Sequence, residues 1–559
     1  PLISREMFKS YLYNVLSATP SVGHNIKFDY KFISKQIDIP IKCAHDTFII
    51  AKLLEEFDAV GLKYLGEVIF GFEVLELMDI LKHYKIKPKD MNMLTSEELF
   101  EYACQDVDLT LRLFQYFWVK MDWRPDYIYE LEIELIYSLA RMEMRGVQID
   151  LDLLYKLRDD YTKKTEDLGQ QIRTVLELPD TFNIDSNVQL GRAFIERFPK
   201  MKKQLKYTEK SGAVKLNAQY VKKYEARFSK YLEKEGLPET KNIFTYHLGR
   251  KKSFSLLTKY ITSWIKKVEK NKSTILLTNF NALGAGTGRM SSSDPNMQNV
   301  APEIRYAIIP RDGYYFIAMD YDQVEYRILA AMAKLTHLVD EINKEGADVH
   351  AIAASILFQV DLEKLIAGVE AKDPFYNFGL LYGMGIPKLA EALGISEEEA
   401  DELKKLYLQR FLRNTKWFFK VKKFAREKGY VLTAFGRKRR IDNLNLKVDP
   451  FSSKEEQKEV KRLLGEGYRK AINTPIQGTS ADIIKIGLNK VDHYLLDEDL
   501  DIHPVIVVHD DILFEVNKKY EPEEVIPQLK SCLETTFKDM VELTVDHNVS
   551  EESWGELKE

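Results

Sequence analysis

The stretch HPVIVVHDDILFEV, from His503 to Val516, sets His509, Asp510 and Asp511 between two β-prone apolar runs. A tight hairpin with acids at its tip is the natural reading. A second apolar run, YYFIAMDYDQVEYR, also ends on an acid, Asp320. If both runs belong to one sheet, Asp320 and Asp510 stand side by side at strand ends, where like charges repel. A pair of divalent cations relieves that repulsion. Mg²⁺ takes hard oxygen ligands, usually one or two carboxylates completed by substrate phosphates. Two such ions about 3.5–4 Å apart serve the attacking and leaving oxygens of a phosphoryl transfer. The bland alternative is a turn that happens to be acidic, because Asp is common in turns. For one hairpin taken alone, that alternative is the better one.

The elements that must position these acids follow from the rest of the chain. Residues 1–122 alternate short apolar runs with helical patterns, as in PSVGHNIKFDYKFI and EELFEYACQDVDLTLRLFQYF, which reads as α/β. From Asp126 a long helical pattern runs to Gly146, a C-cap, and then to VQID. The segment 151–275 is helical and lysine-rich: Lys202, Lys203, Lys206, Lys210, GRKKS at 249–253 and IKKVEKNK at 265–272. Such runs, alone, read as solvated helix faces. After Gly284 the chain is rich in Gly and Ser, then strand-like to Asp320 and helical from Gln323. Helical patterns dominate from 335 to about 500, and a strand pair with flanking helices closes the chain.

The totals bound the partners. A chain of 559 residues holds two to four domains, and 45% hydrophobic with 30% charged residues supports real cores. Lys and Arg total 81 against 86 acids, a net charge of −5, so nucleic-acid binding has to come from local basic surfaces. Three scattered cysteines, Cys43, Cys104 and Cys532, fit no metal spacing and suit a reducing, intracellular compartment. No apolar stretch is long enough to span a bilayer, and no signal peptide opens the chain. The first residue is Pro1 rather than Met, which reads as a processed or partial sequence with something upstream.

The segments TGRMSSSDPNMQN, DYDQVEYR, NFGLLYG, INTPIQGTSAD and VHDD, in this order, resemble the family A DNA polymerases, the bacterial polymerase I group. The resemblance runs from about Gly23 to Trp554. It implies an α/β multidomain, right-hand fold with palm, fingers and thumb, preceded by an RNase H-like 3′–5′ exonuclease domain. The expected divisions are 1–122 exonuclease-like, 123–150 a connecting helix, 151–275 thumb, 276–334 and 469–559 palm, and 335–468 fingers. The family's reaction is attack of a primer 3′-hydroxyl on the α-phosphate of a deoxynucleotide, with two Mg²⁺ ions (Mn²⁺ as a substitute). The resemblance makes Asp320 and Asp510 the metal ligands, with the carbonyl of Tyr321. Asp511 stands where the family usually has Glu and is expected to support the site. Glu325 matches the sugar-selecting glutamate that crowds a ribose 2′-hydroxyl. Arg289, Gln298 and Asn299 match contacts to the primer–template, Arg469, Gln477 and His509 match others near the primer terminus, and His350 matches a triphosphate contact. The lysine-rich segment then reads as a thumb gripping phosphates without regard to sequence. The expected protein is a soluble intracellular monomer acting on primer–template DNA and deoxynucleoside triphosphates, with no membrane partner.

Two places depart from the family pattern. Phe378 and Tyr382, four apart, share a helix face; by resemblance Phe378 packs on the incoming sugar and Tyr382 helps close the insertion site. The family's arginine and lysine on that face are replaced by Glu370 and Pro374. Neither neutralises phosphate, and a Pro in a helix interior costs about 3 kcal/mol unless the helix begins there. Lys372 lies about 200° around a helix from the expected lysine. His350 and Arg469, with a shifted Lys372 or Lys364, are expected to compensate in part. In the N-terminal region Asp29, Tyr102 and Asp106 resemble two of the three exonuclease motifs, while the first, an Asp-x-Glu, is absent. Proofreading is therefore expected to be lacking in this chain. Rival readings are a single-subunit RNA polymerase, a non-catalytic DNA-binding protein on a polymerase scaffold, and a stand-alone exonuclease; Glu325 argues against the first, the strand-end aspartates against the second and the missing motif against the third.

Overall fold

The computed structural model describes residues 4–37, 43–121, 126–208, 211–344, 385–393, 395–412, 415–537 and 541–558. The chain forms two compact units, one of residues 1–145, 278–298 and 313–549, the other of 146–277, 299–312 and 550–559.

In the first unit, helix α1 (Arg5–Ala18) precedes a parallel pair, β1 (Ser21–Gly23) and β2 (Cys43–Asp46), joined through α2 (Lys27–Ile37). Asp46 is buried and its carboxylate accepts from the backbone amides of Asn25, Ile26, Phe48 and Ile49, at 2.8 to 3.4 Å. It thereby caps α3 (Thr47–Leu54) and pins the loop that leads to Asp29. After α4 (Leu62–Phe70) and α5 (Leu77–His83), α6 (Ser96–Lys120) opens on a capping box between Thr95 and Glu98. It buries Leu109, Leu113 and Phe117, a single stripe at four-residue spacing. Helix α7 (Asp126–Arg145) is the central strut of the unit. Near its end, buried Glu143 receives Lys27 at 2.6 Å, Lys31 at 2.5 Å and the amide of Phe280 at 2.6 Å.

The sheet that matters for chemistry is four-stranded, in the order β11-β12-β8-β13, with β8 (Tyr314–Tyr321), β11 (Ile502–Val508), β12 (Asp511–Asn517) and β13 (Val545–Ser550). The interiors of β8, β11 and β12 are buried, and the 44-residue helix Lys454–Asp497 and α7 pack against β11 and against each other. That long helix starts at a Ser453/Glu456 capping box and keeps Pro475 inside it. Helical patterns dominate 335–500 in the sequence, and a short antiparallel hairpin, β9 (Tyr430–Leu432) and β10 (Lys438–Arg440), sits among them.

The long helix and α7 are joined by buried charge. Arg437, in the β9–β10 turn, donates to Asp482 at 2.6 Å and to Glu132 at 2.5 Å, and Lys485 donates to Glu132 at 2.5 Å. Thr433 adds a hydroxyl to Asp482 at 2.7 Å. Burial pulls the Lys485 ammonium down to about 8, against the attraction of Glu132. Removing one member of such a cluster strands its partner and costs about 3–5 kcal/mol.

The second unit begins at Gly146, whose φ of +61° suits glycine. Its sheet has the order β4-β3-β7, from β3 (Val147–Ile149), β4 (Ile275–Leu276) and β7 (Ile308–Ile309). Helices Leu151–Leu176 and Ile243–Leu256 pack together, and an aromatic core of Phe194, Phe198, Tyr224, Phe228 and Phe244 fills the space beneath them. Lys202, Lys203, Lys206, Lys266, Lys270 and Lys272 are exposed. No described helix is long and apolar enough to cross a membrane.

Candidate active site

The hairpin expected from HPVIVVHDDILFEV is present. Strands β11 and β12 pair from Ile502↔Val516 to Val508↔Asp511, leaving His509 and Asp510 as the turn. His509 has φ +58°, a left-handed conformation of the kind that two-residue hairpin turns demand. On its other side β12 pairs with β8 from Asn517↔Tyr314 to Asp511↔Asp320. The amide of Tyr321 donates to the carbonyl of Asp510 at 3.3 Å. The acid directly across from Asp320 is thus Asp511, and Asp510 sits one step further along, opposite Tyr321. Asp511 is buried, whereas Asp320 is exposed at the strand end.

Past Tyr321 the chain turns from strand into helix within two residues. Gln323 takes φ +48° and α14 (Val324–Met332) follows. The turn is braced by buried Arg327, which donates to the Asp322 carboxylate at 2.9 Å, the Asp322 carbonyl at 3.0 Å and the Glu542 carbonyl at 3.1 Å. This brace was not anticipated from the sequence; an Arg five residues after the acid of a strand-to-helix turn is the signal that points to it. The turn places Glu325 in the first turn of α14, where it forms an ion pair with Arg289. Burial raises the Glu325 carboxyl to about 7; Arg289 opposes the shift and the charge of Asp510 adds to it. The Tyr321 ring is buried and its hydroxyl donates to the Leu533 carbonyl at 3.0 Å, which anchors the end of β8.

Arg289, Gln298 and His509 line one narrow cleft with Met290, Ala481 and Ile484. Gln298 also donates to the Val507 carbonyl at 3.2 Å, tying the segment before it to β11. Gln477 shares a helix face with Ala481 and Ile484, at positions i, i+4 and i+7. Arg469 is exposed on the same helix. The Asn299 carbonyl accepts the Tyr260 hydroxyl within the second unit. His350, Lys364, Glu370, Lys372, Pro374, Phe378 and Tyr382 lie outside the described residues.

Among the described residues no group of three or more His, Cys, Asp or Glu side chains forms a ready-made metal cage. The donor set offered by Asp320 and Asp510, with the Tyr321 carbonyl, is instead two hard carboxylates at adjoining strand ends. That fits Mg²⁺, which commonly fills the rest of its shell with water and substrate phosphates.

The N-terminal acids are arranged differently. Asp29 lies in the first turn of α2, on its exposed face, where surrounding protein still raises its carboxyl. Tyr102 and Asp106 sit one turn apart on α6. Lys63, from α4, forms an ion pair with Asp106 and lies 4.5 Å from the centre of the Tyr102 ring. Burial, with Asp106 beside it, raises the Tyr102 hydroxyl to about 12. Lys63 is a partner that the motif gives no hint of.

A family model described as DNA polymerase family A matches residues 151–556, and one described as a 3′–5′ exonuclease matches residues 1–122. DNA polymerase I of Rhizobium leguminosarum is 29% identical over 546 residues, covering 94% of this chain and 49% of its own length. The thermostable DNA polymerase I of Thermus aquaticus is 30% identical over 473 residues, covering 83% and 52%. The chain thus spans about half the length of the curated relatives it matches. Among solved structures, the POL domain of Pol1 from M. smegmatis, in complex with DNA primer-template and dNTP, superposes with a TM-score of 0.79 at 24% identity, over 99% of this chain and 89% of that one. This likeness establishes the fold.

Proposed function

The chain belongs to DNA polymerase family A, and from that premise we propose that it extends a primer 3′ end by template-directed addition of deoxynucleotides. The observation that carries this reading is the strand register that sets Asp320 against Asp511 and bonds Asp510 to the Tyr321 amide. Asp320 and Asp510 would hold two Mg²⁺ ions, which, when bound, supply charge neutralisation for phosphoryl transfer. The chain's own residues do the rest. Asp511, buried behind them, sustains the negative field of the strand ends. Glu325 occupies the place that a ribose 2′-hydroxyl needs, and Arg289 holds it there. Arg289, Gln298 and His509 present donors along one cleft, suited to the end of the primer–template, with Gln477 and Arg469 on the helix beside it. Asn299 is assigned to the same DNA contact by resemblance alone. His350, Lys372, Phe378 and Tyr382 are assigned to the incoming nucleotide on the same basis.

The exposed lysines of the second unit supply a sequence-blind grip on phosphates, so that binding weakens steeply with salt. The divisions into exonuclease-like region, thumb, palm and fingers are proposed as the sequence suggests them. The protein acts as a soluble monomer. The test is primer extension on a defined DNA template with Mg²⁺. Asp320→Ala and Asp510→Ala should each lose about a thousandfold or more, the scale of removing an electrostatic stabiliser from a transition state. Retention of a tenth or more of the activity by either variant refutes the reading.

A further inference from the structure

Resting on that reading, the structure assigns Arg437 a positioning role in sugar selection: clamped by Asp482 and Glu132, its side chain is the floor under Gly288, at the end of the Gly284–Gly288 loop, and fixes how Arg289 reaches Glu325. The loop is compact. The Gly288 amide donates to the Ala285 carbonyl at 2.9 Å, and the Ala285 amide donates to the Arg289 carbonyl at 3.1 Å. Gly288 has φ +86°, and a Cβ there would lie 2.8 Å from Arg437 Cδ and Nε. Gly478, on the long helix, closes the other side: a Cβ there would lie 3.1 Å from the Thr287 carbonyl and 2.6 Å from Thr433 Cγ2. The backbone just before Arg289 therefore rests directly on the hairpin turn and on the long helix.

That floor cannot easily move. Arg437 is only 5% exposed, and its fork bonds Asp482 through Nε and Glu132 through Nη2. Its own amide donates to Thr433 Oγ1 at 3.0 Å, and the Ala434 amide donates to Thr479 Oγ1 at 2.9 Å. One residue beyond this support, Arg289 spans to Glu325. A lysine at 437 keeps the charge but lacks the planar fork, so it cannot serve both carboxylates in the same geometry.

The experiment compares the wild-type chain, Arg437→Lys and Gly288→Ala by single-nucleotide insertion with deoxy- and ribonucleotides, and by amide hydrogen exchange. For Arg437→Lys the deoxy-to-ribo ratio of kcat/KM should fall roughly tenfold, within the hundredfold that about 1 Å of misplacement can cost. The change should sit in KM, with kcat largely kept, because Asp320 and Asp510 are untouched. Exchange over residues 285–290 should quicken while β8 and β12 stay protected. Unchanged exchange and unchanged discrimination, or equal loosening of β8 and β12, overturns the proposal. If Arg437→Lys does not fold, Gly288→Ala decides: it lifts the loop off an intact Arg437 and should give the same shifts, and its failure to do so overturns the proposal. A wild-type chain that extends no primer refutes the polymerase reading, and with it the sugar-selection role, while the exchange comparison still decides whether Arg437 holds the loop.

Discussion

The strand-end acids around Asp320 and the acids at Asp29 and Asp106 are the same kind of group, and both sit in sequence patterns associated with metal-assisted phosphoryl chemistry. The scaffold treats them differently. At the first site, backbone hydrogen bonds of adjoining strands dictate where Asp320, Asp510 and Asp511 stand, and the arginine nearby is matched to Glu325. At the second, the acids come from two separate helices, and a lysine is matched to one of them. A carboxylate becomes a candidate for metal chemistry through the backbone that fixes it, more than through its place in a motif.

Breaking that contrast starts with the largest effect. Asp510→Asn should abolish primer extension, by about a thousandfold, while Asp106→Asn leaves the extension rate within about twofold, as changes remote from the reacting atoms do. Equal losses would erase the distinction between the sites. Next, Glu325→Ala should admit ribonucleotides, lowering discrimination by roughly ten- to a hundredfold, the range set by 1–3 kcal/mol of lost pocket contact. Competitive insertion assays measure it.

A smaller and sharper effect is protonic. The Glu325 carboxyl should titrate near 7, observed by carbon NMR of the labelled side chain. Arg289→Met should move it up and Asp510→Asn should move it down, because Arg289 favours the charged form and Asp510 opposes it. Its folded value lies above the ordinary 4.5, so this group's contribution to stability is full below 4.5. It declines as pH rises toward about 7, then stays level. The smallest effect is Lys63→Met. The pair it breaks is partly solvent-screened, at 19% and 26% exposure, so the expected loss is about 1 kcal/mol or less by denaturant unfolding.

The strand ends were legible because apolar β-prone runs stopping at acids are a local signal. Of the three residues expected at the hairpin tip, His509 and Asp510 form the turn, whereas Asp511 joins β12 and pairs with Val508 and Asp320. What the sequence concealed lay in distant partners. Arg437 sits in a basic string, FGRKRR, and its carboxylates come from residues 132 and 482, far away in the sequence. The β9–β10 hairpin around it has three residues per strand, too short to disturb a helical periodicity. Lys63 meets Asp106 across 43 positions, and no motif marks it. Which of the adjacent aspartates faces Asp320 also needed the register itself, since a shift of one residue exchanges them.

Glu143 carries one more consequence. A carboxylate shut away at the end of the central strut and answered by two lysines of α2 couples the N-terminal region to the interior of the polymerase half. Proteolytic removal of the first hundred or so residues would leave that anion with a single backbone donor, at a cost of about 3–5 kcal/mol. Calorimetry of the intact protein should accordingly give one melting event spanning α2 and the sheet, and trimming should lower its temperature rather than delete a separate peak.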